Sequence, residues 1–469
     1  MSIPNTTMMD PGTETQPDVG VRSTPHPRPR ASQDDTPLNG GRGLRRSARR
    51  CSSRRASLVL LAILVGLLSA LLVACRPKPL LERVSLQPTV ITPNADGEAD
   101  LTKIQFYLNR NATVSFYLIN SVGERFYFRP PRPVSVSEDP YTVYFGGVVE
   151  GYQLPGEELD YTVVRRMLPD GVYTWALHAD GDEGDAATVS GTLTIEDADT
   201  ELPGIRGFSV YPKVFSPNQD GIADRVTINL FLVKDVESVR VYLRDAEGVE
   251  HHIPEDERVT EPNARGLHTY DYDGGIDAGS EPPPDGVYDL LAEAHDAMGQ
   301  HVITSNTLEI VDAGMPRAYI LNAEVEYSAN TMVISETLCY TLTVKNDSNT
   351  HIRTTGPWPG TVYRTDQNYN TLGWEQESGV FRVGMDFDTS LRNYPFRWGI
   401  GRPGDNLVEI DGYWYLPPRA RSLVTGCVQV VDVPVRNPLY YWMGLIHEDV
   451  EIAAVNNNVD PNFVEIWEP

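Results

Sequence analysis

Ile104, Phe106 and Leu108 alternate with polar neighbours, and Ile228, Leu230 and Leu232 repeat that alternation 124 residues later. A period of two places the apolar set on one face of a strand. Similar short runs of β-branched and aromatic residues recur along the chain, separated by Asn, Asp, Gly and Pro. After residue 80 no stretch sustains a 3.6-residue period, so the pattern predicts an all-β body. Several short strands with turn signals over about 110 residues imply a β-sandwich. One run breaks this pattern. Residues 56–75 are 20 uncharged residues, mostly Leu, Val and Ala, behind Arg45, Arg46, Arg49, Arg50, Arg54 and Arg55. That run fits either a secretory signal or a membrane-spanning helix, and in both cases the arginines hold the N-terminus in the cytoplasm.

An internal repeat sets the organisation. Residues 84–100 read VSLQPTVITPNADGEAD and residues 208–224 read FSVYPKVFSPNQDGIAD, identical at nine of 17 positions. The match continues from VSFYLINSVGE at 114–124 to VRVYLRDAEGV at 239–249. A second anchor, PDGVY, stands at 169–173 and again at 284–288, an offset of 115. The first copy therefore carries about nine more residues between its anchors than the second.

The run Pro217-Asn218-Gln219-Asp220-Gly221, then Asp224, an alternating strand and a late D-G-V-Y, resembles the immunoglobulin-like module of the flagellar hook-capping (FlgD-type) family. The resemblance covers about 84–195 and 207–311. It implies two immunoglobulin-like sandwiches and, because the module is a reused scaffold, no particular activity. An export leader and an extra domain argue against a hook-capping role. Residues 316–469 differ. YTLTVKN at 340–346, Pro357-Trp358-Pro359-Gly360, Leu416-Pro417-Pro418, VTGCVQVVD at 424–432 and Asn456-Asn457-Asn458-Val459 are similar in order to CARDB-like adhesion modules and to the tryptophan-rich domain of the NBR1 type. That resemblance implies a third immunoglobulin-like β-sandwich.

The expected layout is thus a basic leader at 1–55, an apolar segment at 56–75, modules at 80–198 and 203–312, and an aromatic-rich sandwich at 316–469. The leader is rich in Pro, Ser, Thr and Arg with almost no large apolar residue, the composition of a disordered segment. Leu72-Val73-Ala74-Cys75 resembles the bacterial lipobox. The resemblance implies cleavage before Cys75, a lipid on its thiol and a body anchored to the membrane outside the cytoplasm. The other reading is an uncleaved anchor helix; both leave residues 80–469 outside.

Composition narrows the function. Gly (38) and Pro (36) suit a turn-rich β protein. Residues 1–55 carry ten Arg and five acids, a net of +5, whereas the rest carries 29 basic and 60 acidic residues, a net of −31. A body so acidic repels phosphate backbones, which excludes nucleic acid as a partner. No G-x-S-x-G, H-E-x-x-H or phosphate-cradling glycine loop is present. The nine His are scattered; His251-His252 and His447-Glu448-Asp449 lack metal-ligand spacing. With about 60 acids, a chance carboxylate pair is expected, so composition alone leaves an extracytoplasmic hydrolase open.

Three groups carry candidate chemistry. In P-N-x-D-G-x-x-D, Asn94, Asp96 and Asp100 match Asn218, Asp220 and Asp224. Oxygens at that spacing around a Gly turn serve either a weak calcium site or a self-bonded Asx-turn. Cys339 and Cys427 each alternate against apolar neighbours and point away from the core. They form either a cross-strand disulfide or two separate thiols. Six of the seven Trp lie in the third domain, where Asp411-Gly412-Tyr413-Trp414-Tyr415 places Tyr413 and Tyr415 on one face and Trp414 on the other. At least one ring leaves the core, either to bind a sugar or partner or to pack on the preceding domain. No other cofactor is expected. The sequence implies a non-catalytic surface lipoprotein that displays a binding surface to a protein or glycan. A carbohydrate-binding or sensing lipoprotein is the alternative.

Overall fold

The computed structural model describes residues 78–255 and 261–468. The leader, the apolar segment and Cys75 lie outside them. Lys78–Pro469 belong to one unit. The fold is all-β, with three short 3₁₀ turns and no α-helix among the described residues. Among the described residues no helix is long and apolar enough to cross a membrane.

The first module packs a three-stranded sheet, Leu81–Gln87, Thr102–Leu108 and Tyr141–Phe145, on a five-stranded one. The larger sheet runs in space from Val90–Ile91 through Ala186–Ile195, Gly171–Gly181 and Ala112–Ile119 to Arg125–Val134. Val90–Ile91 pairs in parallel with Thr194–Ile195, so the first segment of chain changes sheets, which closes one side of the sandwich. The alternating residues behave as their period requires: Ile104, Phe106 and Leu108 are buried between the sheets.

The second module repeats this plan. Ile205–Tyr211, Val226–Leu232 and Gly266–Tyr272 form the smaller sheet; Glu250–Ile253, Ser238–Arg244, Gly286–His295 and His301–Ile310 form the larger. Its first strand shows the same register irregularity, between Arg206 and Ser209, that the first module shows between Glu82 and Ser85.

The extra residues of the first copy fall in the segment that forms Val148–Glu150 and Thr162–Met167, an antiparallel pair whose Val149 is buried in the first core. Thr162–Met167 then adds to His301–Ile310, so one sheet crosses from the first module into the second. Val163 and Leu202 enter the second core. The boundary between 198 and 203 is therefore a boundary of chain order and not of packing, because an unpaired strand edge was covered by the neighbour's hairpin.

The third domain is a larger sandwich. Thr337–Asn346 and Arg421–Gln429 lead one sheet; Phe381–Phe387, Leu439–His447 and Val459–Trp467 lead the other. A small sheet of Ile352–Thr354, Tyr413–Leu416 and Val408–Ile410 sits beside them. Most of the tryptophan surplus fills this core. Trp398 is fully buried, donates Nε1–H to the Thr361 carbonyl at 2.9 Å and meets Tyr340 and Tyr363 edge-on at 5.0 Å. Trp358, Trp374 and Trp414 pack against the same core.

Cys339 and Cys427 face each other in register on adjacent antiparallel strands, and their sulfurs are bonded. Both stand on the face away from the core, where alternation with buried Leu338, Tyr340, Gly426 and Val428 puts them.

Candidate functional site

The repeated motifs build the exits of the modules. In the first copy Asn94 Oδ1 accepts the Asp96 N–H at 3.0 Å, and Asp96 Oδ1 accepts the Glu98 N–H at 2.7 Å. The Asp100 carboxylate takes three more amides, those of Asn94, Ala95 and Gly97, at 2.9–3.1 Å. In the second copy Asn218, Asp220 and Asp224 bond the equivalent amides of Asp220, Ile222 and Gly221. These are Asx-turns, held by side chains that bond their own backbone. The side-chain oxygens of Asn94, Asp96, Asp100, Asn218, Asp220 and Asp224 thus bond their own backbone, as the Asx-turn alternative expects.

Each turn also grips the segment that leaves its module. Asn94 Nδ2 donates to Asp197 at 2.9 Å, and the Asp199 N–H to the Pro93 carbonyl at 2.9 Å. In the second copy Asn218 Nδ2 donates to Asp312 at 3.2 Å, and the Gly314 N–H to the Pro217 carbonyl at 3.0 Å. The PDGVY anchor grips the same segment. Asp170 accepts the Ala198 amide and Asp285 the Ala313 amide, at 2.9 and 2.8 Å. Tyr173 and Tyr288 donate back to the carbonyls of Pro169 and Pro284, at 2.8 and 2.7 Å. This is the tyrosine-corner arrangement of immunoglobulin-like sandwiches. Two motifs far apart in sequence thus converge on one exit clamp, twice.

Each clamp then meets the next domain. At the first junction Lys234 Nζ donates to Asp199 at 2.6 Å and to Asp296 at 3.2 Å, while Gln300 Nε2 reaches the carbonyls of Asp199 and Glu201. At the second, the turn itself is buried. Tyr415 donates its hydroxyl to Asp220 Oδ2 at 2.8 Å. Arg353 Nη1 reaches the Asp220 carbonyl at 3.1 Å, and His447 Nε2 lies 2.8 Å from the Gln219 carbonyl. Gly221 and Gly379 touch backbone to backbone here; a Cβ on Gly379 would overlap Asp220 itself.

Burial marks the electrostatics of this junction. It pushes the Asp224 carboxyl up to about 6, with Asp220 adding to the shift. It raises Asp220 too, against the pull of the Tyr415 hydroxyl. It lowers the His447 imidazole to about 4, so that ring is neutral where it stacks on Phe381 at 4.0 Å. Behind His447, Glu448 is buried between Arg382 Nη1 at 2.9 Å and Arg397 Nη1 at 2.7 Å.

The same geometry divides the Tyr413-Trp414-Tyr415 set, with Tyr415 buried, Trp414 half-buried and Tyr413 exposed. The two Tyr share a face, and on it Tyr415 meets the second module while Tyr413 stays exposed. Tyr415 is buried against Asp220, and Arg353 lies over the Tyr413 ring at 4.4 Å. Trp414 turns to the third-domain core. Besides Tyr413, at 39%, the third domain exposes rings on the outer face of the other sheet: Tyr440, Phe463 and Trp467, at 42%, 45% and 55% exposure. Tyr440 and Phe463 are register partners and stack edge-on at 5.1 Å. The alternation of Phe463 and Trp467 with buried Val464 and Ile466 was the sequence signal for them. Among the described residues, Glu293, His295 and His301 bring three metal-ligating side chains together. The spacing E-x-H-x5-H, folded back as a hairpin, was the signal for that group.

No family model matches the chain, and no curated protein matches it. Solved structures do align. A tetra-tandem repeat in the extending region of a large adhesion protein is 12% identical, with 82% of this chain and 73% of that chain covered and a TM-score of 0.16. A Ca²⁺-stabilised adhesin, described as helping an Antarctic bacterium reach out and bind ice, is 11% identical over 83% and 74%, at 0.19. A Bacteroides ovatus protein of a mixed-linkage glucan utilisation locus, in complex with a heptasaccharide, is 9% identical over 82% and 71%, at 0.14.

Proposed function

We propose that the chain is a non-catalytic, extracytoplasmic surface protein, lipid-anchored through Cys75, whose clamped sandwiches hold the third domain out for adhesion or ligand capture. The observation that carries the reading is the use made of the sharpest polar motif. Both copies of P-N-x-D-G-x-x-D, with both copies of PDGVY, are spent on gripping a module's exit and setting it against the next domain. Residues so committed serve stiffness and reach. The Cys339–Cys427 bond supports an oxidising compartment outside the cytoplasm. The net charge of −31 over residues 56–469 supports a partner that is not a nucleic acid. The FlgD-type resemblance fits a scaffold role for the first two modules.

On this reading the adhesive surface is the outer face that carries Tyr440 and Phe463, since exposed rings offer contact area at little entropic cost. The test uses the full chain on its own cells. Cys75→Ala should abolish labelling by radioactive palmitate. Adhesion of whole cells, and binding of the purified chain to a glycan array and to cell-surface protein, should fall in Tyr440→Ala/Phe463→Ala and stay in Tyr413→Ala. Wild-type labelling in Cys75→Ala, or adhesion unchanged in the double variant, would overturn the corresponding half of the proposal.

A further inference from the structure

We propose that Glu293, His295 and His301 form a zinc site on the second module, at the edge where the first module's hairpin joins it. His295 ends one strand and His301 begins the next, and the two are register partners across the turn. Glu293 lies two residues before His295, so strand alternation puts it on the same face. One donor atom from each residue lies within 4.8 Å of the others. A tetrahedral zinc ion holds its donors roughly 3.4 Å apart, from bond lengths near 2.0–2.1 Å. Small rotations of the side chains close that gap without moving backbone.

The turn between the two histidines is held by its own hydrogen bonds. Asp296 Oδ1 accepts the N–H groups of Met298 and Gln300 at 3.1 and 2.8 Å, and the Gly299 N–H bonds the Asp296 carbonyl at 3.0 Å. The chemistry of the donors selects the ion. Two imidazoles and one carboxylate suit zinc, whereas calcium and magnesium require oxygen. The imidazole rings stack with centroids 3.9 Å apart. His301 Nε2 now lies 3.1 Å from Glu293 Oε2; on binding, the ion replaces that hydrogen bond and the Nε2 proton leaves for Nδ1 or water. Glu293 Oε1 is held by Arg240 at 2.8 Å, which orients the carboxylate as outer partners of metal ligands do. The charge of Arg240 is itself met by Glu250 at 3.0 Å. Arg165, which faces His301 from the first module, completes the charged surroundings. Three protein ligands leave a fourth position for water or for a group from a partner.

The test is titration of the metal-free full chain with zinc chloride by calorimetry, with cobalt(II) absorption as a second readout. One zinc per chain is expected, with a cobalt spectrum of tetrahedral intensity. His295→Gln/His301→Gln should weaken binding at least 10-fold and abolish that spectrum, while His251→Gln/His252→Gln leaves both unchanged. Glu293→Gln serves as a second variant if the histidine pair fails to fold. A wild-type chain that takes up no zinc, or zinc bound equally by the Glu293, His295 and His301 variants, overturns the proposal.

Discussion

The Tyr415 hydroxyl donates to Asp220 Oδ2 at 2.8 Å, across 195 positions of sequence. One residue belongs to the repeated P-N-x-D-G turn and the other to the aromatic run of the third domain. Each is the other's partner, and together they define the second junction.

Tyr415→Phe is therefore expected to cost stability. It leaves a buried carboxylate oxygen without its donor, worth about 1–3 kcal/mol. Urea denaturation of wild type, Tyr415→Phe, Asp220→Ala and the double variant should show the two losses to be strongly non-additive. Additive losses would mean that the contact is not shared.

Acid should loosen the same junction through His447. Its imidazole is held near 4 when folded, below the ordinary 6.5. A folded pKa that is depressed for a base means that the contribution is whole above about 6.5 and is lost as pH falls towards 4, by at most about 3 kcal/mol. Asp224, raised to about 6, has the opposite slope in an overlapping window. Comparison with His447→Gln cancels that second slope. Melting temperature followed from pH 7 to pH 4 should fall more steeply in wild type than in the variant.

Reduction should destabilise the third domain selectively. The Cys339–Cys427 bond closes a loop with a sequence separation of 88. Cys339→Ser/Cys427→Ser, or a strong reductant, should remove about 2–5 kcal/mol. Calorimetric scans with and without reductant measure this; an unchanged melting profile would argue against the bond.

Glu448→Gln should be among the most damaging single changes. It removes the one carboxylate between buried Arg382 and Arg397. Uncompensated buried charge of this kind costs about 3–5 kcal/mol. Glu375 and Glu377, nearer the surface, should show far smaller effects in the same denaturation series.

Much of this was legible along the chain because it is local. A period of two in Ile104-Phe106-Leu108 names the strand and its buried face, since successive side chains alternate across a pleat. The same rule placed Cys339 and Cys427 on the outer face. It also placed Tyr413 and Tyr415 together, opposite Trp414. The repeat at 84–100 and 208–224 disclosed two copies of one sandwich before any contact was known.

What covers a face is a different kind of fact. Whether Tyr415 meets a sugar or Asp220, and whether the residues 148–167 insertion folds back or reaches the next sheet, depends on which surfaces chain topology brings together. No local period encodes that. The sequence by itself determined the all-β class, the repeat and the direction of each alternating side chain, because these follow from backbone geometry one strand at a time. Only the tertiary structure decided that the P-N-x-D-G turns are exit clamps. It alone decided that Tyr440, Phe463 and Trp467 stay open, and that Glu293, His295 and His301 share one hairpin face. Burial and hydrogen-bond partnership are properties of pairs of distant segments, and they exist only once those segments have packed.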